Sequence, residues 1–182
     1  MTDKIFFDTD CISAFLWVNN ECLLEKMYSG KIIFPGEVYR ELSSPRVPHL
    51  KERADYLLDK EVAEICRIDI GSQEFQLFQE LTSSPSDGYK IIGRGEAAAI
   101  ALTKFQGGVL ASNNLRDIQH YIKKYSLNHI ATGDILVKAL EQGLIDLEQG
   151  EQIWKEMLAK RRKIGADSFR SFILEKGFPD RK

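Results

Sequence analysis

Four acidic side chains stand where a strand gives way to a helix, or early in the helix that follows: Asp8, Glu41, Glu96 and Asp134. Asp8 closes the apolar run Ile5-Phe6-Phe7, and Asp134 follows Thr132-Gly133 at a helix start. Glu96 comes directly after Gly95, in the first turn of an alanine run, where a helix dipole favours a carboxylate. Glu41 lies about two turns into a helix opened by Pro35. Carboxylates gathered at one place repel one another unless they are protonated, paired or holding a cation. Oxygen ligands without histidine or thiolate favour magnesium or manganese over zinc. Such an ion activates water for attack on a phosphodiester and stabilises the leaving oxygen. Asn114 and Asp117 join the candidate ligands, although their spacing is also that of a helix-capping pair. Asp134 is equally a helix cap, and Glu41 equally a solvated helix residue.

The elements that must position these groups alternate between strand and helix. Lys4 to Phe7 predicts a strand, followed by a helix through Ile12, Phe15, Leu16 and Val18 with Thr9 or Asp10 as its cap. Ile32-Ile33-Phe34 is a second strand, and the helix after Pro35 carries Val38, Glu41 and Leu42 before Ser43-Ser44-Pro45 ends it. An amphipathic helix from Val47 to Leu58, a short strand around Ile65 to Ile68 and a helix from Ser72 to Leu81 come next. Thr82 to Gly88 reads as a mobile surface loop. The alanine helix ends at Gly107-Gly108; Val109-Leu110-Ala111 is short and apolar enough to be buried on both faces, and Ser112-Asn113-Asn114 supplies caps for a helix from Leu115. Asn128 to Ala131 is a weak strand before a helix closed by Gly143, and two helices, Glu151 to Leu158 and Ser168 to Lys176, complete the chain.

Parallel strands need long crossovers, and here those crossovers are helices. The expected fold is therefore α/β, a three-layer α/β/α sandwich around a mostly parallel sheet of four to five strands. Its strand C-termini share one edge, the place where open sheets of this kind bind ligands. The whole chain, 1–182, is read as one domain, with 144–182 a helical extension of it.

Composition narrows the function classes. Twenty-five Lys and Arg against 27 Asp and Glu leave a net charge of -2, so the chain as a whole is no electrostatic coat for nucleic acid and any such contact is local. Three cysteines without a CxxC pair suit core thiols in a reducing compartment and argue against a disulfide frame or a zinc knuckle. His49, His120 and His129 are scattered without ligand spacing, and Trp17 and Trp154 are most simply core. No apolar run approaches the ~20 residues of a membrane span. The expected location is cytoplasmic, with no membrane contact.

Taken in order, Asp8-Thr9-Asp10, Val38-Tyr39-Arg40-Glu41-Leu42, Gly95-Glu96-Ala97-Ala98-Ala99-Ile100-Ala101-Leu102, Val109-Leu110-Ala111-Ser112-Asn113-Asn114 and Thr132-Gly133-Asp134 resemble the PIN-domain family over the first three quarters of the chain. The resemblance implies a parallel sheet between helices and a magnesium- or manganese-dependent endoribonuclease. It also implies RNA as substrate and, as in many bacterial members, a toxin that dimerises and binds a small antitoxin. Carried over residue by residue, it assigns the family's acids to Asp8, Glu41, Glu96 and Asp134. Asn114 stands where the family's Thr/Ser-x-Asp usually has a metal-binding aspartate, with Asp117, one turn on, as the alternative ligand. The metal set implied is Asp8, Glu96, Asn114, Asp117 and Asp134; Arg94, Arg161 and Arg162 are the candidate RNA contacts.

Two other classes remain at this point. The asparagine at 114 suits an inactive PIN-like scaffold that binds a protein or RNA. Gly93-Arg94-Gly95-Glu96-Ala97-Ala98 matches GxGxxA, a dinucleotide-binding turn if a strand precedes it.

Overall fold

The structure is a computed structural model, and residues 4–85 and 89–177 are described here. Five strands form one sheet: β1 (Ile5–Phe7), β2 (Ile32–Pro35), β3 (Ala63–Cys66), β4 (Val109–Ala111) and β5 (Asn128–Ile130). Their order is β3-β2-β1-β4-β5, and every pairing is parallel. β1 is central, with Ile5 opposite both Ile32 and Val109. A central strand of a parallel sheet is covered on both faces, which is why all three residues of β1 are apolar and buried.

Successive side chains of a strand point to opposite faces, and the core divides accordingly. Ile5, Phe7, Ile32, Phe34 and Ala111 face one layer, built from α1 (Thr9–Trp17), α2 (Glu21–Tyr28), α3 (Gly36–Leu42), α4 (Pro48–Asp59), α8 (Thr132–Glu141), α9 (Leu147–Ala159) and α10 (Phe169–Glu175). Phe6, Ile33 and Leu110 face the other layer, built from α5 (Gln73–Ser83), α6 (Arg94–Gln106) and α7 (Leu115–Tyr125). The alanines of α6 let that helix lie close on the sheet, and Ala97 to Ala99 are fully buried. This is the three-layer α/β/α sandwich expected, with five strands. α9 and α10 belong to the same core cluster as α1: Trp154 and Phe169 are fully buried in it.

Several local expectations are corrected. α2 was not foreseen, although Leu23, Leu24 and Tyr28 recur at helical spacing and are buried on one face. β3 lies at Ala63–Cys66, earlier than Ile65 to Ile68, because Ala63 pairs with Ile32 in register. α9 begins at Leu147, where Asp146 accepts the Gln149 N–H at 2.8 Å and caps it. α5 continues through Ser83, so Thr82 and Ser83 are helical, while 86–88 of the expected loop fall outside the described residues. Only Cys11 of the three thiols is buried; Cys22 is exposed and Cys66 partly so. Trp17 is half-buried rather than core. The segment leading into α6 has no strand at 89–93, so the dinucleotide reading loses the strand-turn-helix unit that it needs. No helix among the described residues is long and apolar enough to cross a membrane.

Candidate functional site

Asp8 directly follows β1, and its backbone N–H bonds the Ala111 carbonyl of β4 at 2.9 Å, which fixes it at the C-terminal edge of the sheet. It is also the N-cap of α1: Oδ1 accepts the Cys11 N–H at 2.6 Å. The cap is thus Asp8 itself, and neither Thr9 nor Asp10 has that role. The other oxygen, Oδ2, is buried and has no hydrogen-bond partner. A buried, unpaired carboxylate oxygen is costly, and removal from water pushes this carboxyl up to about 8. The neighbouring Ser112 hydroxyl and the Cys11 N–H oppose that rise; Asp10 and Glu96 add to it.

Glu96 lies in the first turn of α6, near enough for its charge to act on Asp8. Its Oε2 accepts the Gly93 N–H at 3.2 Å and its Oε1 the Asn114 amide Nδ2 at 2.6 Å. Burial raises its pKa, the Asn114 and Gly93 bonds work against the rise, and the charges of Asp10 and Asp117 add to it. The same Asn114 Nδ2 donates to Asp117 Oδ2 at 3.1 Å. Asn114 therefore bridges two carboxylates with one amide, and its side chain makes no cap bond to α7. Asp117 also pairs with Lys90 at 3.7 Å, and its pKa is lowered, first by the Asn114 bond and then by the Lys90 and Arg116 charges.

Glu41 is held differently. The Thr9 hydroxyl donates to its Oε2, and the Gly95 N–H donates to its Oε1 at 3.2 Å. These bonds tie α1, α3 and α6 together at the sheet edge. Gly95 is needed for the approach, since a Cβ there would lie 2.6 Å from Thr9 Oγ1 and 3.1 Å from Glu41 Oε2. Asp134 has both oxygens engaged, Oδ2 by the Ala131 N–H at 2.8 Å and Oδ1 by Lys176 Nζ at 3.0 Å. Its charge acts on Cys11, Tyr28 and His129.

Asp10 is the acid that sequence reasoning passed over. It is exposed on the first turn of α1, and its charge bears on both Asp8 and Glu96. The signal was present: once Asp8 is the cap of its own helix, the second acid of Asp8-Thr9-Asp10 is free to face the cleft. Asn113 was also missed as a strut, its Nδ2 on the Asp10 carbonyl at 3.5 Å and its Oδ1 accepting the Thr132 N–H at 2.9 Å. Of the candidate RNA contacts, Arg94 begins α6 beside the cleft, whereas Arg162 sits over the Trp17 ring at 5.6 Å, and Arg161 follows α9 beside it. Trp17 ends α1, so the nine residues of that helix place these two arginines about 13 Å from Asp8 along its axis.

Asp8, Asp10, Glu96, Asn114 and Asp117 offer carboxylate and amide oxygens, a set suited to a hard divalent cation. Among the described residues no three His, Cys, Asp or Glu side chains are grouped closely enough to hold a metal ion. The feature that fits one is the unpartnered Asp8 Oδ2, on a carboxyl group within reach of the charges of Asp10 and Glu96.

A family model described as a PIN domain matches residues 4–176. No curated protein matches the chain. A similar solved structure is a chain of VapBC2 from Rickettsia felis, crystallised bound to a DNA fragment from their promoter. It is 21% identical, covers 70% of this chain and 97% of that one, and superposes with a TM-score of 0.44.

Proposed function

The chain belongs to the PIN-domain family, and from that premise we propose that it is a magnesium- or manganese-dependent endoribonuclease acting at the Asp8–Glu96 cleft. The observation that supports the reading is the buried Asp8 Oδ2, an oxygen without a hydrogen-bond partner on a carboxyl group that feels the charges of Asp10 and Glu96. Asp8, Glu96 and Asp10 would hold the ion, with Asn114 and Asp117 beside them. The bound cation supplies the charge that lowers the pKa of a water and stabilises the leaving oxygen. Asp8 must give up its proton for that role, and Glu96 must turn an oxygen away from Asn114 or Gly93. Glu41 positions the machinery by bracing the starts of α1 and α6 against each other. Asp134 keeps the start of α8 in place through its Ala131 bond. The family resemblance extends the proposal to a small antitoxin partner and a homodimer.

A second reading, the catalytically weak scaffold, has its own observation. Both Glu96 oxygens are hydrogen-bonded and Asp117 is paired, so the cleft satisfies much of its own charge without an ion. Cleavage of single-stranded RNA with manganese, and with EDTA in its place, separates the two. Cleavage that needs the metal and disappears in Glu96→Gln supports the nuclease. Binding of RNA or a partner with no cleavage under any divalent ion supports the scaffold.

A further inference from the structure

Beside α3 and α6 lies a cavity of about 270 Å³, lined also by residues of the segment after β3 and of α5 and partly open to solvent. Arg40, Arg67 and Arg94 line it, with Glu37 as the one carboxylate in the lining among the described residues. Glu37 accepts Arg40 Nη1 at 2.5 Å and Arg94 Nε at 3.3 Å, and it is mostly covered by them while both arginines remain exposed. Arg67 has no hydrogen-bond or ion-pair partner among the described residues and is exposed. Its stem crosses the start of α3 because residue 36 is glycine; a Cβ there would sit 3.2 Å from Arg67 Cγ. Among the described lining residues, three guanidinium groups stand against one carboxylate.

The rest of the lining is not what a bare anion needs. Phe75 lines the cavity, and Ile70 stands 88% exposed at it. The Arg94 guanidinium lies over the Phe78 ring at 4.9 Å. Cations beside aromatic and aliphatic faces are the surface on which unpaired nucleotides bind, phosphate to the charges and base to the flat apolar groups. The volume falls near the lower end of small-ligand sites, roughly 300 Å³, and suits one nucleotide better than two.

The cavity also adjoins the acidic cleft through shared elements. Glu37 and Glu41 are one turn apart on α3, so they lie on the same face. Arg94 precedes Glu96 by two residues at the start of α6, and the Gly95 N–H bond to Glu41 clamps the two helices at that point. We propose that this cavity is a nucleotide subsite, taking one unpaired ribonucleotide of the strand whose neighbouring phosphodiester lies at Asp8 and Glu96. Arg67 and Arg40 receive its phosphate, and Phe75 with Ile70 receives its base. The placement beside the scissile bond rests on the proposed nuclease reading; binding in the cavity does not.

The test uses the full chain in EDTA with a short fluorescently labelled single-stranded RNA, anisotropy being followed across a potassium chloride series. Arg67→Gln should weaken binding about tenfold at low salt, as loss of a charge-assisted contact does, and reduce the salt slope by about 0.7. Phe75→Ala should weaken binding with the slope unchanged, because stacking releases no counterions. Lys155→Gln, at an exposed position on α9, should match the parent. Thermal melts confirm that each variant is folded. RNA binding by Arg67→Gln and Phe75→Ala with the parent's affinity and slope overturns the subsite, and so does a parent that binds no RNA. Arg67-dependent binding without cleavage in manganese removes the nuclease reading and keeps the subsite. Cleavage that depends on Asp8 while both cavity variants bind and cleave like the parent removes the subsite alone.

Discussion

Asn114 donates one amide nitrogen to two carboxylates, Glu96 Oε1 at 2.6 Å and Asp117 Oδ2 at 3.1 Å. At that position a neutral donor does the work of a cation: it keeps two like charges from facing each other unshielded. Glu96 and Asp117 are therefore joined through one neutral donor, which adds no ligand charge to the cleft.

Replacing that amide by a carboxylate should reverse the balance. Asn114→Asp is expected to lose about 1–2 kcal/mol of stability in EDTA, since it sets three carboxylates against one another. It should gain more from manganese than the parent does, because affinity at oxygen sites follows ligand charge. Thermal melts with and without manganese measure both effects. Equal melts for parent and variant in both buffers would show that residue 114 does not act on Glu96.

Asp8 should give the protein an unusual pH dependence. Its folded-state pKa is raised to about 8, whereas in the unfolded chain it is ~3.9. Between those values the folded state holds a proton that the unfolded state has released, so stability falls as pH rises. This one group accounts for about 1.4 kcal/mol per pH unit as an upper figure, and the loss levels off above the folded value. Asp8→Asn keeps the shape and removes the titration. In urea unfolding without metal, the variant should gain on the parent from about pH 4 to about pH 8. Parallel stability curves would mean that Asp8 is ionised in the fold. Manganese affinity of the parent should rise over the same window, because the ion must displace that proton.

Asp10 bears on both acids of the cleft without being buried itself. Asp10→Asn is expected to leave stability within about 0.5 kcal/mol of the parent, as surface substitutions usually do. It should lower manganese affinity and RNA cleavage together. Calorimetric titration with manganese checks the first, and unchanged affinity would return Asp10 to the role of a solvated helix residue.

Gly95→Ala tests the brace between helices. Its Cβ would meet Thr9 Oγ1 and Glu41 Oε2 well inside contact distance. A cost of about 1–3 kcal/mol is expected, as for other overpacked positions. Urea denaturation reads it, and a variant as stable as the parent would mean that α1 and α3 can move apart freely.

The alternation of short apolar strands with helices is local information, and it determined the architecture. Phe6 falls on the opposite face from Ile5 and Phe7 because successive strand residues must, and β1 can be central because all three are apolar. The positions of Asp8 and Glu96 followed equally from local order, one being the residue after a strand and the other lying in the first turn of a helix. What local order could not determine is which acid is free. Glu41 is taken by Gly95, 54 residues away, Glu96 by Asn114, Asp117 by Lys90 and Asp134 by Lys176. Those partners are chosen by packing between elements, whereas periodicity and capping signals report only on a residue's own few neighbours. Asp8 and Asp10 show the same limit at the shortest range. Their identities suggest a cap and a ligand in either order, and only the buried geometry of the sheet edge makes Asp8 both the cap and the carboxylate with an oxygen to spare.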